Sequence, residues 1–158
     1  MNLTTRPEVI TRPETHFLYL EKEGHIRDIA MPAWTEMFPL IEGKFESTEI
    51  KEYLGMTQLL EESPDKEAVA YDAGIALSTK PKSIPKGMLD REVPAGKYAR
   101  FVLTGPYKEI NSAFGEVFKI LESSHFKIRS AECVENYLND PSHTPEPELK
   151  TEILVPIQ

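Results

Sequence analysis

Apolar residues recur at steps of three and four in two stretches of the chain, and this spacing predicts two helices. The stripes consist of Ile26, Ile29, Ala30, Ala33, Trp34, Met37, Phe38 and Ile41, and of Ile110, Phe114, Val117, Phe118 and Leu121. Pro32 and Pro39 interrupt the first stripe, and an interior proline costs about 3 kcal/mol. We therefore expect the first helix to start late, near Pro32, or to kink. The second helix follows the turn and early proline of "TGPY".

Alternating apolar and polar residues predict strands. The runs are "THFLYLEK" (15–22), "EYLGMTQLLE" (52–61), "EAVAYDAGIAL" (67–77), "YARFVLTG" (98–105), "AECVENYLND" (131–140) and "TEILVPI" (151–157). In the third run, Val69, Tyr71, Ala73, Ile75 and Leu77 fall on one side. "SPDK" and "NDPSHTPEPE" are typical of turns. The link 78–96 is rich in Pro, Gly and Lys and contains a further short strand near Met88–Val93.

The order of these elements is β-α-β-β, a link, and β-α-β-β again, which indicates a duplicated βαββ unit. The half-repeats cover about residues 7–77 and 88–158, and in each a strand ends near a glycine, Gly24 or Gly105. Each half alone would leave an exposed strand edge, whereas pairing builds one core. The pattern predicts one α+β domain over residues 1–158, with antiparallel sheets and two main helices.

Charge and composition exclude several classes of function. The 158 residues include 18 basic and 26 acidic side chains, a net charge of -8, which argues against direct binding of nucleic acid. The single cysteine excludes a disulfide framework, and the four histidines lack metal-site spacing, so we expect no metal and no cofactor. No segment is typical of a signal peptide or a membrane span, so we expect a cytoplasmic protein without membrane contact.

The strand "VENYLNDP" offers the strongest candidate for chemistry. Alternation places Cys133, Glu135 and Tyr137 on one face. Glu135 is either an edge residue in water, paired with a lysine across the sheet, or a carboxylate in an aromatic cavity. Burial raises a carboxyl pKa by up to ~3–5 units. A cation at 4 Å would regain about 4 kcal/mol at an effective dielectric near 20, so such a cavity suits organic cations.

Aromatic residues supply the other candidates. Tyr71 and Tyr137 rank first because they lie mid-strand beside small or polar neighbours, and Tyr107 opens the second helix. Helix-stripe aromatics pack in the core by default, and we expect this of Phe114 and Phe118. The candidate ligand-binding residues are Glu135, Tyr137, Tyr71, Tyr107, Trp34 and Phe38.

Catalytic motifs are absent from the sequence: it has no GxGxxG after a strand, no GxxxxGK[ST] and no GxSxG. Cys133 is a small core residue rather than a nucleophile, and we expect no catalytic residue. The lysines of "STKPKSIPK" mark a solvated connector, with an anion-binding or partner loop as the alternative.

Several segments resemble one known family. They are "PAGKYA", "GPY", "ENYLNDP" and "ELKTEILVPI", with looser matches at "YLGMTQ" and "AYDAGIAL". Together they are similar, over about residues 6–158, to the GyrI-like small-molecule-binding domain. This is the effector domain of bacterial AraC- and MerR-type transcription regulators, and it also occurs alone in the DNA gyrase inhibitor protein.

The resemblance implies two βαββ units related by pseudo-two-fold symmetry, with a ligand groove where they meet. It also implies that Glu135 contacts cationic, amphipathic ligands in that groove. Few residues precede the match, so we expect a standalone binding module without its own helix-turn-helix. Two alternatives remain: a hydrolase with Glu135 as general base, and a gyrase-inhibitor-like role in which acidic segments contact a protein partner, gyrase or a regulator.

Overall fold

The computed structural model describes residues 1–59 and 68–158, which form an α+β protein with antiparallel strand pairs. The elements are β1 (Asn2–Leu3), β2 (Glu8–Arg12), β3 (Thr15–His25), α1 (Ile26–Ile41), β4 (Ile50–Leu59), β5 (Ala68–Leu77), β6 (Leu89–Val93), β7 (Gly96–Thr104), α2 (Ile110–Glu122), β8 (Cys133–Tyr137) and β9 (Lys150–Pro156). The orders β3-α1-β4-β5 and β7-α2-β8-β9 confirm the predicted βαββ duplication. The predicted turn 63–66, and residues 60, 61 and 67 of predicted strands, lie outside the described residues.

The chain divides into two compact units. The first comprises Met1–Pro13 together with Ala95–Gln158, and the second is Glu14–Pro94. In the first unit β2 pairs with β7, and in the second β6 pairs with β3. Each of these strands therefore pairs with the other half of the sequence, so the compact units divide the chain differently from the half-repeats 7–77 and 88–158.

The second unit has the strand order β4-β5-β3-β6, with α1 packed on one face. Leu18 of β3 and Ile75 of β5 meet Met37 of the helix there. The predicted inward side of β5 is confirmed, because its residues form this core: Val69, Tyr71, Ala73, Ile75 and Leu77. The opposite face is also buried. On that face Gly74 leaves room for Tyr19, since a Cβ at residue 74 would lie 2.8 Å from the Tyr19 Cβ.

Both prolines of α1 lie inside the helix, which runs without a break from Ile26 to Ile41. The expectation of a late start near Pro32 is therefore wrong, whereas the alternative, a kink, stays a prediction. Pro32 and Pro39 cannot donate hydrogen bonds to the carbonyls of Asp28 and Thr35. All four residues are exposed, so water can satisfy these carbonyls.

In the first unit, β7 pairs with β1, β2 and β9, and β9 pairs with β8. Helix α2 packs on the sheet through Ile110, Ala113, Val117 and Leu121. The core therefore includes Ala113, which the predicted stripe omitted. The prediction that Phe118 packs in the core is wrong, because the residue is 38% exposed and does not belong to the core cluster.

Two glycines have nearly the same backbone φ angle at equivalent points of the repeat. Gly24 near the end of β3 has φ 145°, and Gly105 after β7 has φ 146°. Residues with a Cβ rarely adopt such angles. The Gly105 N–H also donates to the Leu149 carbonyl at 2.7 Å. The two halves of the repeat therefore also share the backbone angle at the turn that leads from strand to helix.

Candidate functional site

Glu135 lies in the middle of β8, and its residue surface is only 5% exposed. Its cross-strand neighbour on β9 is Ile153, which belongs to the core beneath α2. The alternative of an edge glutamate in water, opposite a lysine, is therefore wrong. Because burying a carboxylate is costly unless other groups compensate its charge, this position requires polar partners or a counter-charge.

Two tyrosines accompany Glu135. The Tyr137 hydroxyl donates a hydrogen bond to Glu135 Oε2. Tyr107, in the 3₁₀ turn before α2, places its ring edge-on to Tyr137 with 5.1 Å between centroids. Burial, and to a smaller extent the charge of Asp140, raise the pKa of Tyr107, so its phenol stays neutral. Three of the predicted site residues thus form one cluster, which we call the Glu135 cluster (Glu135, Tyr137 and Tyr107).

The other three predicted residues lie together in an aromatic cluster of the second unit. Trp34 Nε1 donates to the Tyr71 hydroxyl at 2.7 Å, and the Trp34 and Phe38 rings are 5.7 Å apart. Phe38 also approaches Tyr53 of β4 at 6.0 Å. Tyr71 is fully buried, whereas Phe38 is 48% exposed. We call these four residues the Trp34 cluster (Trp34, Phe38, Tyr53 and Tyr71). It combines a buried polar contact with an accessible aromatic surface.

A charged cluster that the sequence did not reveal lies on the face of the second unit opposite α1. Arg91 Nη1 donates to Asp72 Oδ2 at 2.8 Å, and the Asp72 side chain is only 3% exposed. The Arg91 guanidinium lies 5.4 Å from the Phe17 ring centroid and 4.4 Å from that of Tyr19. The Asp72 carboxylate and the two aromatic rings together hold the Arg91 guanidinium in place. Asp72 could be singled out in sequence only as a charge within an apolar strand.

Glu21 of β3 is paired with Asp72 of β5. Partial burial, then a hydrogen bond and charge repulsion from Asp72, raise the pKa of Glu21 above its ordinary 4.5, while Arg91 opposes the shift. The folded state therefore binds the proton of the Glu21 carboxyl more tightly than the unfolded state does. Protonated Glu21 contributes its full stabilisation below pH 4.5, the ordinary pKa of the group. This stabilisation is lost as pH rises through the higher pKa of the folded state.

Replacing Glu21 with glutamine should therefore stabilise the protein relative to wild type at about pH 7, and the difference should shrink towards about pH 4. Urea unfolding at several pH values measures this difference. Glu23→Gln, two residues along the same strand, is the matched control. Parallel pH profiles for the two variants would contradict the assignment.

Cys133 begins β8 and packs against the core beneath α2. Burial, with a smaller effect from the Glu132 charge, raises the pKa of this thiol to about 12. A thiol at that value is almost entirely protonated near neutral pH and is a poor nucleophile. The geometry thus agrees with the expectation of a small core residue.

We expect native Cys133 to react with a dithionitrobenzoate reagent about 100- to 1000-fold more slowly than a free cysteine at about pH 8. Absorbance of the released thiolate follows the reaction. Unfolding in urea should restore the ordinary rate, which controls for prior oxidation. A native rate within about tenfold of free cysteine would refute this.

The described residues contain no group of three or more His, Cys, Asp or Glu side chains placed to hold a metal ion. Within the same ranges, neither helix is long and apolar enough to span a membrane.

Comparison with known proteins identifies the family. The GyrI-like small molecule binding domain matches residues 5–158. The chain belongs to this family. No curated protein matches the sequence of this GyrI-like domain.

Solved structures share the GyrI-like fold at low sequence identity. The C-terminal domain of EcmrR is 13% identical, with a TM-score of 0.78 and 97% of each chain covered. In a complex of EcmrR with DNA, the match spans 57% of the EcmrR chain, with a TM-score of 0.74 and 14% identity. SAV2435 bound to tetraphenylphosphonium is 14% identical, with a TM-score of 0.73, over 97% of this chain and 94% of that one. A hydrolase from Listeria innocua is 13% identical, with a TM-score of 0.58 and coverages of 98% and 92%.

Proposed function

We propose that this GyrI-like domain binds a small amphipathic cation, with Glu135 as the counter-charge. The observation that carries the proposal is a glutamate 5% exposed, set in a β-strand and hydrogen-bonded to the Tyr137 hydroxyl. A phenol stabilises the carboxylate but leaves its negative charge in place. The rings of Tyr137 and Tyr107 add aromatic surface that attracts cations.

Tetraphenylphosphonium, the ligand of the SAV2435 structure, has the chemistry that such a cluster would accept. It combines one positive charge with four phenyl rings, so a carboxylate and tyrosine rings can act on it together. The two are only 14% identical in sequence, so the argument for cation binding by this chain rests on its own residues.

The Trp34 cluster is proposed as a further ligand-contacting surface. Phe38 and Tyr53 are exposed, and Trp34 is half-buried, so their rings are accessible. Trp34 is also the single tryptophan of the chain. Its fluorescence therefore reports on this cluster alone, and a change on ligand addition tests the assignment directly.

The experiment is a calorimetric titration with tetraphenylphosphonium, repeated with triphenylphosphine oxide, which has a similar aromatic body but no net charge. We expect saturable binding of the cation and much weaker binding of the neutral compound. Equal affinities would overturn the role of charge, and an absence of saturable binding of the cation would overturn the proposal itself.

We further propose that the chain does not itself bind DNA, because its net charge of -8 repels the phosphate backbone. A mobility-shift assay with duplex DNA at low salt tests this, and retarded DNA would contradict it. The predicted gyrase-inhibitor-like role stays a prediction.

Hydrolysis is the second candidate function, and the Glu135–Tyr137 pair favours it. A buried carboxylate can accept a proton from water, and a neighbouring phenol can donate one. A Listeria innocua protein of the same fold is described as a hydrolase. Turnover of small aryl esters that disappears in Glu135→Gln would support this function, whereas turnover that survives the substitution would exclude Glu135 as the base.

A further inference from the structure

A cleft of about 660 Å³ lies in the second unit, where the loop after α1 meets the segment after β5. This volume falls within the roughly 300–1,000 Å³ usual for small-molecule sites. Its lining residues are Lys44, Phe45, Glu49, Leu77, Thr79, Lys80, Pro81, Lys82, Ser83, Ile84 and Pro85. None of them belongs to the Glu135 cluster or the Trp34 cluster.

The cleft is basic although the protein is acidic. Lys44, Lys80 and Lys82 line it, against the single carboxylate of Glu49, in a chain of net charge -8. In residues 1–59 and 68–158, none of the three lysines takes part in an ion pair. Glu49 Oε1 accepts the Glu46 N–H at 3.1 Å, so part of its charge is engaged within its own turn. The local field therefore favours an anion.

Apolar residues form part of the cleft lining, and backbone hydrogen bonds hold the lining segments in place. Leu77 and Pro85 are buried at its base, and Ile84 is 45% exposed. The Ser78 N–H donates to the Glu49 carbonyl at 2.9 Å, which ties the two rims together. The Met88 N–H donates to the Pro85 carbonyl at 3.0 Å and anchors the far side in the core. Such preorganisation reduces the entropy lost on binding.

We infer that this cleft binds a small amphipathic anion, a carboxylate or sulfonate with an aromatic or aliphatic body. The lysines would contact the acidic group, and the apolar lining residues would take the body. This site is independent of the proposed cation site, and it selects the opposite charge.

The probe is anilinonaphthalene sulfonate, whose fluorescence rises in apolar surroundings, titrated against the full chain. The uncharged N-phenylnaphthylamine has the same aromatic body without the sulfonate. The double variant Lys80→Gln/Lys82→Gln removes two charges from the cleft. Lys86→Gln/Lys97→Gln changes the net charge equally but alters no lining residue, and is the matched control.

We expect one saturable sulfonate site, weakened about tenfold by the cleft variant and little by the control variant. Raising the salt from about 0.1 M to about 1 M should also weaken it, because the Debye length falls from about 10 Å to about 3 Å. N-phenylnaphthylamine should respond to neither change. Unfolding curves of both variants should match wild type, because these lysines are exposed.

Equal sulfonate affinity in the cleft variant and the wild type would overturn the inference. So would loss of binding in Phe38→Ala, because the dye would then occupy the Trp34 cluster. Lys44→Gln, on the opposite rim, provides an independent check and should weaken binding about threefold. Glu135→Gln should leave sulfonate binding unchanged, so this site and the proposed cation site can fail separately.

Discussion

Glu135→Gln is expected to weaken tetraphenylphosphonium binding about 30-fold, a loss of about 2 kcal/mol. The substitution keeps the size of the side chain and an oxygen that can accept from the Tyr137 hydroxyl, and it removes only the charge. Two unit charges about 4 Å apart attract by about 4 kcal/mol at an effective dielectric near 20. We allow about half of that for the desolvation of the carboxylate and the ligand.

Calorimetry of wild type and variant measures this loss. Glu132→Gln is the matched control, because it removes one charge just before β8, three residues from Glu135, and changes no residue of the Glu135 cluster. We expect it to bind within about twofold of wild type, because a partly exposed charge outside the cluster contributes little. If Glu135→Gln binds as tightly as Glu132→Gln, the counter-charge is elsewhere.

The free energy of unfolding of Glu135→Gln should equal or exceed that of wild type, because a neutral amide is easier to bury than a carboxylate. Urea unfolding provides this readout and separates a lost contact from a damaged fold. A marked loss of stability would show that Glu135 supports the structure rather than a ligand.

Arg91→Met is expected to destabilise the protein by about 3 kcal/mol. The variant leaves the Asp72 carboxylate, 3% exposed, without its arginine partner and removes the cation over Phe17 and Tyr19. Breaking a buried pair in this way is costly because one charge stays in the interior. The loss is a large fraction of the 5–15 kcal/mol that roughly bounds the stability of a typical domain.

Arg100→Met is the matched control for Arg91→Met, since both arginine side chains are 27% exposed. The main partner of Arg100 is Glu152, which also accepts a hydrogen bond from Asn136 Nδ2 at 2.8 Å. Glu152 therefore keeps a polar partner, and we expect a loss of only about 1 kcal/mol.

The double variant Asp72→Asn/Arg91→Met should recover at least half of the stability lost in Arg91→Met, because no orphaned charge remains. Urea unfolding of the set gives the coupling energy. If the effects of the two substitutions simply add, Arg91 stabilises the protein only through its contacts with the Phe17 and Tyr19 rings.

Local pattern was enough to predict most of the elements. The apolar steps of α2, the alternation of β5 and the face shared by Cys133, Glu135 and Tyr137 need no information beyond neighbouring residues. These predictions succeeded because helix and strand periods are properties of the backbone. Burial of Glu135 was only one of two alternatives, since periodicity assigns a face but not what covers it.

What the sequence could not predict depends on contacts between distant residues. The strand "EVITR" of β2 lies between Pro7 and Pro13 and pairs with β7, far along the chain. Arg91 falls in the short strand predicted near Met88–Val93, but only the pairing of β3 with both β5 and β6 brings it to Asp72. Lys44 and Lys80 are far apart in the sequence, and the fold brings them into one cleft. Neither the loop after α1 nor the segment after β5 therefore indicates by itself that the cleft is basic.

The discontinuous first unit has a consequence for synthesis on the ribosome. Residues 14–94 form a compact unit in one uninterrupted segment, whereas Met1–Pro13 belong with Ala95–Gln158. Because synthesis proceeds from the N-terminus, the second unit can gather all its strands while Met1–Pro13 still lack their partner β7. Met1–Pro13 are thus made before the second unit but complete their pairing after it, and β2 emerges as an unpaired strand open to pairing with other chains until β7 is made.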